Sequence, residues 1–303
     1  MKGVSMQSQF NRVGRNVALI SVAAIALAGC VKPRNHPVPA PWKDVKVSPL
    51  AAEPSLAAKA SVRSAQEWLD KSAEQYRALN TYEERGIIAE QVGSDKRVSL
   101  AAWNLRYSRG GGYQFRYDQH GFLGSYASDY RYGAGRPMLN NQRTSYRIWK
   151  SPSDTLAQTM WTVGKDQVEQ HELRRAISGA FGVCGRTSGW AMSLLGSNYQ
   201  LKDGALQLAD AVVEGGANID GHACVVIAGN RPLGDSTERV RVFIDMESLL
   251  ARRWEFVDAG STPSLRVWSV KPTANPVWND TAFARPDQSV WESEFGPAAL
   301  EAE

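Results

Sequence analysis

Tyr113-Gln114-Phe115-Arg116-Tyr117 is the stretch on which the fold turns. Aromatic and polar residues alternate, so Tyr113, Phe115 and Tyr117 share one face of an extended chain and Gln114 and Arg116 the other. Arg109-Gly110-Gly111-Gly112 stands just before it. That run reads as a hairpin turn, since it lacks the Lys-Ser/Thr pair of a phosphate loop. Thr81 to Glu90 and Val98 to Tyr107 precede the turn as two further strands. Ser125 to Tyr132, Tyr146 to Lys150 and Met160 to Val163 continue the series. Short strands divided by turn signals, with no helices between them, argue an antiparallel sheet.

Helices flank this run. Over Ser61 to Asn80, residues Val62, Ala65, Leu69, Ala73, Tyr76 and Leu79 fall at three- and four-residue steps, and Trp68 widens the stripe. The spacing predicts a helix with one apolar face. Asp166 to Ala180, with Val168, Leu173, Ala176 and Ile177, predicts a second. Ser188 to Leu195, stopped by Gly196, predicts a third and shorter one. Strands then resume at Ala205 to Glu214, Ala223 to Ala228, Arg239 to Asp245, Leu250 to Val257 and Leu265 to Val270. Pro272, Pro276, Pro286 and Pro297 follow, and the chain ends in Glu301-Ala302-Glu303. The class is α+β.

The N-terminus is of another kind. Lys2, Arg12 and Arg15 precede an apolar run from Val17 to Leu27, which closes on Leu27-Ala28-Gly29-Cys30. This is the pattern of a secretory signal peptide, and its apolar run is too short to span a bilayer. Leu-Ala-Gly-Cys also resembles the lipobox of bacterial lipoproteins. That resemblance implies a signal peptide over 1–29, cleavage before Cys30, and acyl chains on Cys30 that anchor the protein to a membrane. Val31 in place of Asp resembles the sorting signal for the outer membrane. The Pro-rich segment 30–56 reads as a tether. Three of the 35 basic residues and none of the 31 acidic ones lie in residues 1–29, so without them the formal charge falls from +4 to about +1. A nearly neutral module gives no electrostatic case for nucleic acid. Of the three cysteines, Cys184 and Cys224 remain once Cys30 is acylated. An even remainder in an oxidising envelope points to a disulfide, with two free buried thiols as the alternative.

The order of segments resembles the LolA/LolB superfamily of periplasmic proteins and lipoproteins. The resemblance is carried by Glu74 to Tyr82 at the helix-to-strand junction, and by Ile219 to Ile227, where a Gly leads into a strand. Val242 to Asp245 with Leu249 to Glu255 carries it too, as does the Asn275, Phe283 and Pro286 spacing. It implies a strongly curved, mainly antiparallel sheet, a half-barrel, wrapped around one or two helices over 57–286, with 287–303 as a tail. It also implies an apolar interior. The chain's ten tryptophans and ten tyrosines suit such an interior. Trp103, Tyr113, Phe115, Trp161, Trp190 and Met192 are the residues expected to meet a lipid or acyl chain. The same residues can fill the interior with no guest, as in a purely structural lipoprotein. An envelope protein partner is a further possibility.

One catalytic reading competes. Cys184, His222 and Asp245 follow the chain order of transglutaminase-like cysteine hydrolases, and a helix N-terminus beside the thiol would activate it. His120, His171 and His222 show no metal-ligand spacing, and nothing in the sequence implies a cofactor. Glu83 and Glu84 cannot act as paired acids, because strand neighbours point to opposite faces.

Overall fold

The structure is a computed structural model. It describes residues 47–92, 98–120, 143–161, 167–184, 187–196, 206–233, 236–258 and 264–286. Eleven strands form one antiparallel sheet: β1 (Thr81–Val92), β2 (Val98–Ser108), β3 (Tyr113–His120), β4 (Arg143–Lys150), β5 (Ala157–Trp161), β6 (Gln167–His171), β7 (Ala209–Ile219), β8 (His222–Leu233), β9 (Ser236–Asp245), β10 (Ala251–Asp258) and β11 (Ser264–Ala274). The spatial order is β6-β5-β4-β3-β2-β1-β11-β10-β9-β8-β7. Sequence neighbours pair within β1–β6 and within β7–β11, and one long-range pairing, β1 with β11, joins these two meanders. The sheet is open, with β6 and β7 at its edges. The expected strand over Ser125 to Tyr132 lies outside the described residues.

Among the described residues, four α-helices accompany the sheet: α1 (Ala57–Ala60), α2 (Ala65–Ala78), α3 (Leu173–Val183) and α4 (Thr187–Leu194). α2 starts on a capping box: Ser64 Oγ accepts from Glu67 N–H, and the Glu67 carboxylate accepts from Ser64 N–H. Its buried face is Ala65, Trp68, Leu69, Ser72 and Tyr76. Two bonds fix it to the end of the sheet. Ser72 Oγ donates to Leu249 O at 2.7 Å, and Tyr76 Oη accepts from Ala251 N–H. Val62 lies before the helix and is exposed.

The alternation read from Tyr113-Gln114-Phe115-Arg116-Tyr117 sorts the whole sheet. Tyr113, Phe115 and Tyr117 face the core with Trp103, Leu105, Ile148, Val242, Trp254 and Trp268. Curvature follows from what α4 touches. Tyr113 on β3 donates its hydroxyl to Ser188 O, while Trp190 packs against Arg231 on β8. Those strands are six steps apart, about 29 Å at ~4.8 Å per step. An eight-residue helix is only about 12 Å long. The sheet therefore bends round α4, as the half-barrel expectation required.

One element differs from expectation. Residues 167–171 form β6, paired with β5, and the helix begins only at Leu173. Leu173, Ala176 and Ile177 keep the helical spacing, and Val168, five residues before Leu173, falls outside it. β6 is an edge strand exposed along its length, so it carries no inward-outward alternation to read.

The segments at both ends of the described residues strap the outer face. Leu50 N–H donates to Glu255 Oε1, Arg241 Nη2 donates to Leu50 O, Arg253 Nη2 donates to Ser48 O, and Glu53 N–H donates to Gly216 O. The segment expected to be tether is thus fastened to β7, β9 and β10 from Ser48 onward. At the other end Asn275, at φ +49°, accepts from Asn80 N–H and Thr81 N–H through its side chain. Phe283 then lies under the β2–β3 turn, where a Cβ on Gly112 would meet its ring at 2.7 Å. Gln114 and Arg147 donate to Ala284 O and Pro286 O.

Candidate functional site

The inner face of β1 runs Tyr82, Glu84, Gly86, Ile88, Glu90, and it marks out the concave surface. At the α2 end, Glu84 is enclosed. It accepts from Tyr82 Oη and from Trp103 Nε1–H, both at 2.9 Å. Burial pushes its carboxyl up to about 7, against the pull of those two bonds. Glu83, one residue away, lies on the outer face with Asn104 and Arg106 and is held low by them. The two acids face apart, as strand geometry dictates.

The middle of the surface is aromatic. Gly86 leaves room for the Trp103 ring, which would lie 2.1 Å from a Cβ there. Trp103 meets Trp268 edge-on at 5.9 Å. Trp190 of α4 stands on Trp254, Phe256 and Trp268, with ring centres 4.9, 5.7 and 5.3 Å away. α4 presents almost nothing to water: seven of its eight residues are buried, Met192 among them, and its Thr187, Ser188 and Ser193 hydroxyls donate to backbone carbonyls.

At the far end the inner face turns charged. Glu90 pairs with Arg266 at 2.9 Å across β1 and β11, and Glu238 pairs with Arg231 across β9 and β8. All four side chains are buried. Phe256 sits between the pairs, opposite both Arg266 and Val240, and the Arg231 guanidinium lies 4.6 Å from the Trp190 ring. Among the described residues, buried polar atoms without a hydrogen-bond partner gather here, Glu90 Oε2, Trp190 Nε1 and Trp268 Nε1 among them. Sequence reasoning missed this row. Glu90 was legible as an inward position from the alternation of β1, but its partner lies 176 residues away.

Five of the six residues expected to meet a guest come together on the concave face or on α4. Trp103, Tyr113 and Phe115 line the sheet, and Trp190 and Met192 belong to α4. None has more than 4% of its surface accessible. Trp161 stands opposite Tyr146 in register, and its side chain lies outside the described residues. The interior is packed, and a guest there would take the place of α4.

The expected cysteine chemistry is not assembled. Cys184 and Cys224 are free thiols in two separate apolar clusters, so the pairing inferred from their parity is corrected. Cys184 caps the C-terminus of α3, the end of a helix that disfavours a thiolate. Burial, with the charge of Asp118, holds its thiol well above the ordinary range. His222 and Asp245 do meet, Nδ1 to Oδ2 at 3.1 Å. Their neighbour is Cys224, not Cys184. Cys224 donates weakly to His222 O, and burial pushes its thiol up to about 12. Asp245 instead organises a turn. It accepts from Glu247 N–H and Ser248 N–H and pairs with Arg252 at 2.7 Å, and these bonds hold its carboxyl low. His171, expected on a helix, lies on β6 beside Glu169. His120's side chain lies outside the described residues. Among the described residues no group of three His, Cys, Asp or Glu is placed to hold a metal.

No protein-family profile matches this chain, and no curated protein matches it in sequence. Solved structures are similar to it at low identity. Lipoprotein LppX of Mycobacterium tuberculosis is 13% identical over 71% of this chain and 97% of its own, at a TM-score of 0.40. LolA superfamily protein NE2245 of Nitrosomonas europaea is 10% identical over 74% and 98%, at 0.30. LprF of Mycobacterium bovis is 11% identical over 71% and 95%, at 0.40.

Proposed function

We propose that this chain is a bacterial envelope lipoprotein, anchored through acyl chains on Cys30, whose half-barrel holds an apolar guest such as a lipid acyl chain. The observation that carries the reading is α4. A short, almost wholly buried helix fills the concave side of an open sheet and touches β3, β8, β10 and β11 through Trp190 and Ser188. An acyl chain can replace the apolar part of that contact, the packing on Trp254, Phe256 and Trp268, so guest and helix would compete for one surface. The aromatic lining of Trp103, Phe115 and Trp254 offers large apolar area at low conformational cost.

The test is contact quenching. The full chain carrying Cys30→Ser is titrated with stearate brominated along its acyl chain, and tryptophan emission is followed. Saturable quenching that unbrominated stearate competes away supports the reading. Emission that stays flat until the protein unfolds sinks it. That second outcome is what a structural lipoprotein with a permanently filled interior gives, and the closed packing of the five core residues favours that rival.

A further inference from the structure

Glu90 and Glu238 each face an arginine, and Glu84, buried on the same inner face, faces none among the described residues. Its two bonds come from neutral donors, Tyr82 Oη and Trp103 Nε1, both at 2.9 Å. Leu105 and Pro272 stand opposite it in register on β2 and β11. From α2, Tyr76 meets Tyr82 edge-on with ring centres 5.5 Å apart. Burial raises the hydroxyls of Tyr76, Tyr82 and Tyr107, the last opposite Tyr82 on β2, so all three stay neutral. The cations nearest this seam are spent elsewhere. Arg252 of β10 pairs with Asp245, which also meets His222, and Arg109 donates to Leu79 O. Ionising Glu84 therefore puts a negative charge into a site with nothing to balance it.

Such a charge is relieved by water, and one side of the site can admit it. The sheet side is locked. β1 is laddered on both edges, and the Trp103 ring lies where a Cβ on Gly86 would stand, backed by Trp268 at 5.9 Å. The helix side is held lightly. Two hydrogen bonds join α2 side chains to the sheet, Ser72 Oγ to Leu249 O and Ala251 N–H to Tyr76 Oη, and both fall on one corner. We infer that Glu84 is the trigger of a pH-sensitive latch on α2: when its carboxyl ionises, Tyr76 leaves Ala251, α2 lifts from the Leu249–Ala251 corner, and water enters that end of the concave face. At acid pH the carboxyl is neutral and the latch is shut. The device needs no guest and stands apart from the guest-binding reading above.

Ala251 N–H is the reporter, because a side chain of α2 accepts from it. Its hydrogen exchange is followed by NMR in the full chain carrying Cys30→Ser, at pH 5.5 and 8.5, and corrected for the intrinsic rate. The ladder amides of β9 and β10 measure global unfolding in the same spectra. The expected opening at Ala251 is easier than that of the ladder amides and unmoved by low urea. It should be about thirtyfold more populated at pH 8.5 than at 5.5, the ratio that follows from a carboxyl at 4.5 when open and about 7 when closed. Glu84→Gln should make the opening independent of pH, with His222 and Asp245 unchanged. Tyr76→Phe keeps the ring and removes the acceptor, and should leave Ala251 unprotected at both pH values. An Ala251 amide that exchanges only together with the ladder amides overturns the latch and leaves the effect of Glu84 on global stability intact. A local opening that is the same at both pH values, or that still rises in Glu84→Gln, overturns it as well.

Discussion

Glu84 gives the sharpest test of the packing. Its carboxyl is buried against Tyr82 and Trp103, and no cation is paired with it. Burial raises it from 4.5 to about 7. The folded state therefore holds this proton more tightly than the unfolded chain does. The stabilising contribution is complete below about pH 4.5 and is lost as pH rises through about 7. Integrated over that window, the loss is about 3 kcal/mol, at ~1.4 kcal/mol per pH unit. Glu84→Gln removes the titration and keeps both contacts, because the Tyr82 hydroxyl can turn from donor to acceptor. Other carboxylates act in the opposite sense. Glu83, Glu214 and Asp245 are held low by arginines and backbone N–H groups, so their contribution is lost as pH falls. They are common to both proteins, and the difference between the two isolates Glu84. The assay is urea unfolding followed by tryptophan emission at pH 5, 7 and 9. The variant should exceed the wild type only slightly at pH 5, by less than about 1 kcal/mol, and by about 3 kcal/mol at pH 9, a midpoint shift on the order of 1 M. Midpoints that run parallel across the range would refute the reasoning, since a carboxyl that ionises freely in the fold must carry the slope.

Gly86→Val should place a side chain inside the Trp103 ring and lower stability by about 1–3 kcal/mol or more, read by the same urea curves. Glu255→Ala should leave Arg241 and Arg253 without their shared carboxylate and free Leu50 N–H, which makes residues 47–53 the first site of cleavage in limited proteolysis. Ser64→Ala removes the capping box of α2 and should cost about 1 kcal/mol in thermal unfolding. Cys184 and Cys224 should resist iodoacetamide in the native chain and take up two alkyl groups after denaturation without reductant. Alkylation that needs reductant would restore the disulfide.

Much of the sheet was legible because its strands face a core on one side. The inward set of Tyr113, Phe115 and Tyr117, and that of Val240, Val242 and Ile244, can be read off the chain at a period of two. α2 was legible from its stripe and its cap. β6 was not, because a strand exposed on both faces has no pattern to distinguish it from the start of α3. The charged row was hidden for a different reason. Arg231, Glu238 and Arg266 look like solvated positions, and the inward Glu90 shows no partner, until register brings the four into pairs across strands. Parity of the cysteines misled, since counting thiols says nothing about which cluster each one joins. The straps were invisible because Pro-rich ends read as linkers. Here their backbone groups are spent on the outer face of the sheet.

The N-terminal strap also sets how this molecule bears load. If the chain is held at Cys30, a pull does not reach the barrel first. It arrives at Ser48, where the Arg253 contact lies at the strap's leading edge, and it peels that segment one bond at a time through Leu50 and Glu53. Stripping residues 48–56 lengthens the leash by about 30 Å at ~3.4 Å per residue. In a chain held at Cys30 the strap would act as a mechanical fuse, giving way before β9 and β10, whose own ladder lies outside it.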